Sequence, residues 1–374
     1  MSSSAVSPAS PSHPPIAAKP RLPFIIALRA IASVIILWHH FALYPPLRGW
    51  AAPLAGHVLD WFEVNARATQ VFFVIGGYVL ARSLSHHRWN LRQVGTFVAQ
   101  RYCRLGLPYL AVVVLIIPIY LLAGDTLPES VVGSPASLPQ VLAHLFFVQD
   151  LLDYEQLSAG LWFVCINFQL GLMYVAMLWL RDVLSSGRDR PGPDIVGWLG
   201  WALSLYSLFH FNLDETMDGW GLYFFPYFFA GIVIHRSLSA GKTKAEFWLY
   251  ELTLATAMIF EWRWRLASAF IVGLLLFAAD HTGWGYRWPR GRVVAWLGKV
   301  SYSLFLVHFP VLVLVSTLWV RLEWDSPALA LTGLGVSFAL SLLSAALFHR
   351  WVEQPAAALG RRYRYNKTLQ PRAV

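Results

Sequence analysis

Long apolar runs separated by short polar segments make up most of this chain. A membrane-crossing helix takes about 20 residues, and hydropathy marks ten candidates, at about 23 to 43, 66 to 84, 105 to 123, 160 to 180, 195 to 211, 219 to 236, 245 to 261, 264 to 280, 294 to 320 and 327 to 349. The pattern predicts an all-α fold, a polytopic membrane bundle of about ten transmembrane helices. In the pair 245 to 261 and 264 to 280 the turn E-W-R-W-R is short and Glu246 and Glu251 interrupt the first member. In the segment 138 to 152, L-P-Q-V-L-A-H-L-F-F-V-Q-D-L-L is too short to cross and reads as an interfacial or re-entrant helix, a wall for a substrate entering from outside.

The polar connections set the orientation, because cytoplasmic loops retain Lys and Arg. One side holds Lys19, Arg21, Arg82, Arg88, Arg92, Arg101, Arg104, Arg181, Arg188, Arg190, Arg236, Lys242, Lys244, Arg287, Arg290, Arg292, Arg350, Arg361, Arg362, Arg364 and Lys367; the other holds only Arg48, Arg67, Arg263, Arg265 and Arg321. Both termini are therefore expected in the cytoplasm. Acidic residues, among them Asp125, Glu129, Asp150, Asp153, Glu155, Asp214, Glu215 and Asp218, gather in the outer loops. Residues 1–20 are Ser/Pro/Ala-rich and expected as a disordered cytoplasmic tail, 21–356 as the membrane domain and 357–374 as a basic cytoplasmic tail. The first apolar run is too long for a signal h-region and is read as a retained span in the plasma or inner membrane.

Composition agrees with this class. The 374 residues are 57% hydrophobic and 13% charged, which argues against a soluble protein, and 18 Trp and 15 Tyr suit two membrane interfaces. The net charge of +9 lies in short clusters between spans, so nucleic acid is not an expected partner; the lipid bilayer is. Cys103 and Cys165 offer neither a structural disulfide nor a C-x-x-C metal spacing, and no metal or bound cofactor is expected.

Chemistry enters with the ionisable residues inside the spans. Arg29, His39 and His40 lie within the first, where arginine costs roughly 2.5 to 3.5 kcal/mol on insertion scales, so a function is the default hypothesis. Arg29 and His40 are separated by about 1,100° of helix rotation, only ~20° from three full turns, with a rise of about 16.5 Å. They are expected to face one groove, with His39 about 100° away. Histidine suits proton transfer near neutral pH, so His40 is a candidate base, or else a packing residue. Arg101 and Arg104, one turn apart, suit bidentate binding of phosphates, or else orient the chain by charge alone. Ser301, Tyr302, Ser303 and His308 give the ninth span a polar face, with Ser301 and His308 close to two turns apart. Glu353 is expected to pair with a basic loop residue.

The spacing Arg29 to His40 in a first span resembles the signature of the acyltransferase-3 family, integral-membrane O-acyltransferases that modify bacterial surface sugars and related acceptors. Further blocks match in the family's order: F-F-V-I-G-G-Y at Phe72 to Tyr78, R-Y-C-R-L-G-L-P at Arg101 to Pro108, L-G-K-V-S-Y-S-L-F-L-V-H-F-P at Leu297 to Pro310, and V-E-Q-P at Val352 to Pro355. Two departures stand out. Gly76 occupies a position usually held by Ser, and W-F-V-C-I-N-F-Q at Trp162 to Gln169 puts Asn167 and Phe168 at positions that are usually acidic. Asn167 then becomes a helix-helix hydrogen bonder or a substrate contact.

The resemblance implies transfer of an acyl group, acetyl being expected, from a cytoplasmic acyl-CoA to a hydroxyl of a carbohydrate or glycolipid acceptor at the outer face. His40 would be the base and Arg29 would hold the donor or steady negative charge. Arg101 and Arg104 would anchor donor phosphates, with His308, Ser301, Tyr302 and Asn167 as further polar groups of the site. A polytopic transporter or flippase is the alternative, since polar residues facing a cavity suit it as well.

Overall fold

The computed structural model describes residues 22–66, 68–185, 193–239 and 243–363, and among these there is no strand. The expected tail at 1–20, the residues from 364 onward, and Arg21, Arg67, Arg188, Arg190 and Lys242 lie outside the described residues. The helices are α1 (Pro23–Leu43), α2 (Leu47–Asn65), α3 (Thr69–Leu84), α4 (Leu91–Arg101), α5 (Leu107–Ala123), α6 (Glu129–Val132), α7 (Leu138–Leu145) and α8 (Leu161–Ser185). They continue as α9 (Ile195–Phe209), α10 (Gly221–Ser237), α11 (Ala245–Phe260), α12 (Trp264–His281), α13 (Arg292–Arg321), α14 (Pro327–Phe348) and α15 (Gln354–Gly360).

Each of the ten predicted runs is helical, but among the described residues seven stretches are long and apolar enough to cross a membrane. Helices α9, α10 and α11, at 15, 17 and 16 residues, fall short of that length. For α10 the reason for its even apolar composition is burial: G-L-Y-F-F-P-Y-F-F-A-G-I-V-I-H-R-S is enclosed by protein on nearly every side. A helix apolar all round fits the middle of a bundle. Helix α13 is the other central element, packed on α1, α5 and α14.

Two glycines fix the crossing of α3 and α10. A Cβ on Gly77 would sit 1.8 Å from the Phe228 carbonyl oxygen, and one on Gly231 would sit 1.9 Å from that of Val74. Backbones meet here because neither helix carries a side chain at the contact. Gly77→Val is therefore expected to push the helices apart and cost about 3 kcal/mol. A melting curve in detergent checks this, and an unchanged midpoint would contradict the close crossing.

Two helices lie where the sequence suggested loops. Helix α2 mixes Arg48, His57, Asp60 and Glu63 into its apolar positions, so it carries little continuous hydropathy, yet it packs on α1 and α14. Helix α4 starts on a capping box in which Asn90 and Gln93 each satisfy the other's backbone N–H. The segment 138 to 152 forms the eight-residue α7, capped by Ser137, then turns at Phe147 with φ 59° and ends in a short 3-10 turn at Asp150–Leu152. The pair at α11 and α12 is two helices, and Arg263 in their connection donates to the carbonyls of Asn212 and Leu208.

Among the described residues, the few arginines at the acidic end are each tied to neighbours. Arg48 pairs with Asp60 and Glu63, Arg265 donates to the Tyr223 hydroxyl, and Arg321 donates to the Leu122 carbonyl. At the basic end Arg236 joins Asp194 to Glu246, and Arg181 binds the carbonyls of Ser85 and His87.

Candidate active site

Two cavities enter the bundle from opposite ends. The first, about 640 Å³, opens among basic residues and is lined by Arg29, Arg101, Arg104, Arg361, Asn167 and Tyr302. Four arginines face one carboxylate, Glu353, in its wall. The second, about 620 Å³, carries His39, His40, Gln70, Tyr44, Trp162 and Arg265, with Glu129, Glu155 and Glu215 on its lining. Phe305 borders both. The single groove expected to hold Arg29 and His40 is thus divided, although both project from α1.

The basic cavity is shaped by two breaks in helical regularity. A π-helical turn at Tyr102–Gly106 joins α4 to α5, and another at His349–Glu353 joins α14 to α15. Such turns change the facing of successive side chains and recur at functional sites. The first carries Arg104 and follows directly on Arg101; the second ends on Glu353. Arg101 lies against Gly171, where a Cβ would meet its Nε at 2.6 Å, so a side chain there would displace the guanidinium. Its Nη2 donates to the backbone carbonyl of Asn167 at 2.7 Å and to Oδ1 of the same residue at 3.0 Å, while its buried Nε has no partner. Asn167 therefore both bonds a neighbouring element and lines the cavity. Arg29 has no hydrogen bond or ion pair within the described residues.

Tyr302 donates to the Leu105 carbonyl at 2.7 Å, and Ser301 donates to the Gly298 carbonyl at 3.0 Å. Ser301 lines the basic cavity, whereas His308, on the same helix, reaches His40. Glu353 accepts from Ser303 at 2.6 Å and from His349 at 2.8 Å. Among the described residues the pairing expected with a basic loop residue is not formed: no Arg or Lys ion pair reaches Glu353, whose carboxylate is held instead against Ser303 of α13. Gly76 lines the cavity 3.7 Å, measured from where its Cβ would be, from Asn167 Oδ1.

In the acidic cavity the two histidines of α1 are not separated as rotation suggested. The cavity subtends enough of the helix for both to line it, and His39 Nδ1–H donates to the Phe62 carbonyl at 3.0 Å. His40 meets His308 with Nδ1 and Nε2 2.6 Å apart and the ring planes within 6° of parallel. His308 Nδ1 lies 3.1 Å from the Leu304 carbonyl, which can only accept, so that nitrogen carries the proton. Neutral His308 then presents Nε2 as acceptor, and His40 Nδ1–H donates to it. His40 Nε2 is left unprotonated, with no hydrogen-bond partner among the described residues, on a ring that borders the cavity.

Several lining residues carry no sequence signal strong enough to single them out. Gln70 is 1% exposed and its Oε1 is buried without a partner, in the first turn of α3 and beside the cavity. A lone amide in an apolar run was its only mark. Gln156, also in the lining, donates to Asp150, whose carboxyl is pushed up to about 6 by burial. The wall on this side comes from α6 and from residues 155 to 160 rather than from α7.

A bundle of apolar helices with a basic cavity at one end and a paired imidazole at the other has the parts of a membrane transferase. The model of the acyltransferase-3 family, described as an acyltransferase domain, matches residues 22–346, nearly the whole chain. The protein belongs to this family and is a membrane acyltransferase. No curated protein and no solved structure gives a significant match to the chain.

Proposed function

We propose that the protein moves an acetyl group from a cytoplasmic acyl-CoA to a hydroxyl of a carbohydrate or glycolipid at the outer face of the cell's inner or plasma membrane. The observation that carries this reading is the His40–His308 pair, which leaves one basic nitrogen on a cavity wall. In the other cavity Arg29, Arg101 and Arg104 present guanidinium groups to one space. Phosphates of the donor fit that cluster, since a guanidinium fork can bind two oxygens and those of Arg29 and Arg104 make no hydrogen bond among the described residues. Arg29 is on the donor side in this reading.

Transfer proceeds with His40 Nε2 taking the proton of the acceptor hydroxyl as its oxygen attacks the thioester carbonyl. The resulting tetrahedral intermediate collapses, the C–S bond breaks, and the proton passes to the departing thiolate. His308 holds the His40 tautomer and shares the charge of the imidazolium through the Nδ1 bond. The Gln70 amide is placed to hydrogen-bond the acceptor, and Trp162 offers an apolar face to a sugar ring. The acceptor enters past Glu129, Glu155 and Glu215.

Labelled acetyl-CoA supplied to the cytoplasmic face of sealed membrane vesicles tests the reading. Label is expected on carbohydrate or glycolipid at the opposite face. Movement of an intact envelope precursor without thioester consumption would instead identify a transporter.

A further inference from the structure

The partition between the cavities is aromatic. The Phe305 ring is 4% exposed, with its centroid 5.1 Å from that of Phe163, 6.5 Å from that of Phe72 and 6.2 Å from that of His308. Phe72 and Phe163 border the basic cavity, and Phe305 alone of the three borders both. On the acidic side stands Gly160, with φ 89°, where a Cβ would be 3.0 Å from Phe305 Cζ. Any side chain at 160 would press on the ring, and the backbone conformation itself favours glycine. Phe305 is therefore held between a glycine and two other rings, one turn before the histidine that orients His40.

Geometry makes this ring a crossing point. Arg29 and His40 are about 16.5 Å apart along α1, so phosphates at the arginines and a thioester at His40 demand a slender linker through the partition. The acyl group leads that linker. It comes to rest where the ring, Gly160 and the cavity face of His40 converge.

We infer that Phe305 sets the size of the acyl group this enzyme transfers, an assignment that rests on the donor reading above. The acyl chain lies against the phenyl face, and the ring occupies the space that further methylenes would fill. Removing the ring opens that space to longer chains. Each added methylene buried there favours the longer donor by about fourfold.

The experiment uses the full chain in membrane vesicles that retain their own acceptors, with acetyl-, butyryl- and hexanoyl-CoA compared at equal concentration. In Phe305→Ala the hexanoyl-to-acetyl rate ratio is expected to rise at least about tenfold over wild type. Phe305→Leu, which keeps much of the apolar volume, is expected to give a smaller rise, and Phe305→Trp to lower the butyryl-to-acetyl ratio. The leucine and tryptophan variants keep the ratio readable where the alanine variant fails to accumulate. A ring that only supports packing would slow all three donors alike, and unchanged ratios overturn this assignment alone. Wild-type vesicles that transfer none of the three acyl groups overturn the donor reading and the assignment with it.

Discussion

His40→Ala is expected to lower acyl transfer by about a hundred- to ten-thousandfold, the range over which positioned acid–base groups act. The substitution removes the nitrogen facing the acidic cavity and leaves His308 Nε2 without its donor. Membrane insertion is expected to stay normal, and the melting midpoint in detergent to fall only by what one unsatisfied buried nitrogen costs, about 1–3 kcal/mol, far too little to account for the loss of activity. His308 supplies a second measurement. His308→Gln keeps an oxygen able to accept from His40 Nδ1–H, whereas His308→Leu does not, so the glutamine variant is expected to retain more activity. Near-normal turnover in His40→Ala would exclude it as the base, and equal rates in the two His308 variants would exclude control of the tautomer.

Arg104→Ala combined with Arg101→Ala is expected to raise the KM for acyl-CoA at least about tenfold, while dependence on the acceptor stays close to wild type. Hydrogen bonds to charged groups are worth about 1.5–3 kcal/mol each, so the loss of two guanidinium groups from a phosphate site is readily measured. Arg101 also fills the gap at Gly171 and bonds Asn167, which makes its removal partly structural. Arg104 has no such packing role among the hydrogen bonds of the site and gives the cleaner single variant. Steady-state kinetics with acyl-CoA varied at fixed acceptor, then the reverse, check the split. A larger effect on the acceptor would place the donor elsewhere.

The helices of this protein are legible one at a time because hydropathy is local: an apolar run from Pro23 or Pro327 must hydrogen-bond its own backbone in lipid, and only a helix does so within a single segment. Helices α2 and α4 escaped that signal. Their apolar positions are interleaved with charge, and packing on neighbours rather than continuous hydropathy makes them helical. The short α10 shows the converse, an apolar run below a membrane span in length whose apolar character on every side comes from being surrounded by protein.

Sequence alone determined the all-helical class, the concentration of arginine at one end, the family, and the candidate status of Arg29, His40, Arg101 and Arg104. The tertiary structure decided which of these share a space. Phe305 comes from α13, far along the chain from α1, and divides the expected groove. The contact of His40 with His308, which selects the basic nitrogen, joins residues 268 positions apart. Rotation along one helix says which way a side chain points; only the packing of a second helix against it says what it meets there.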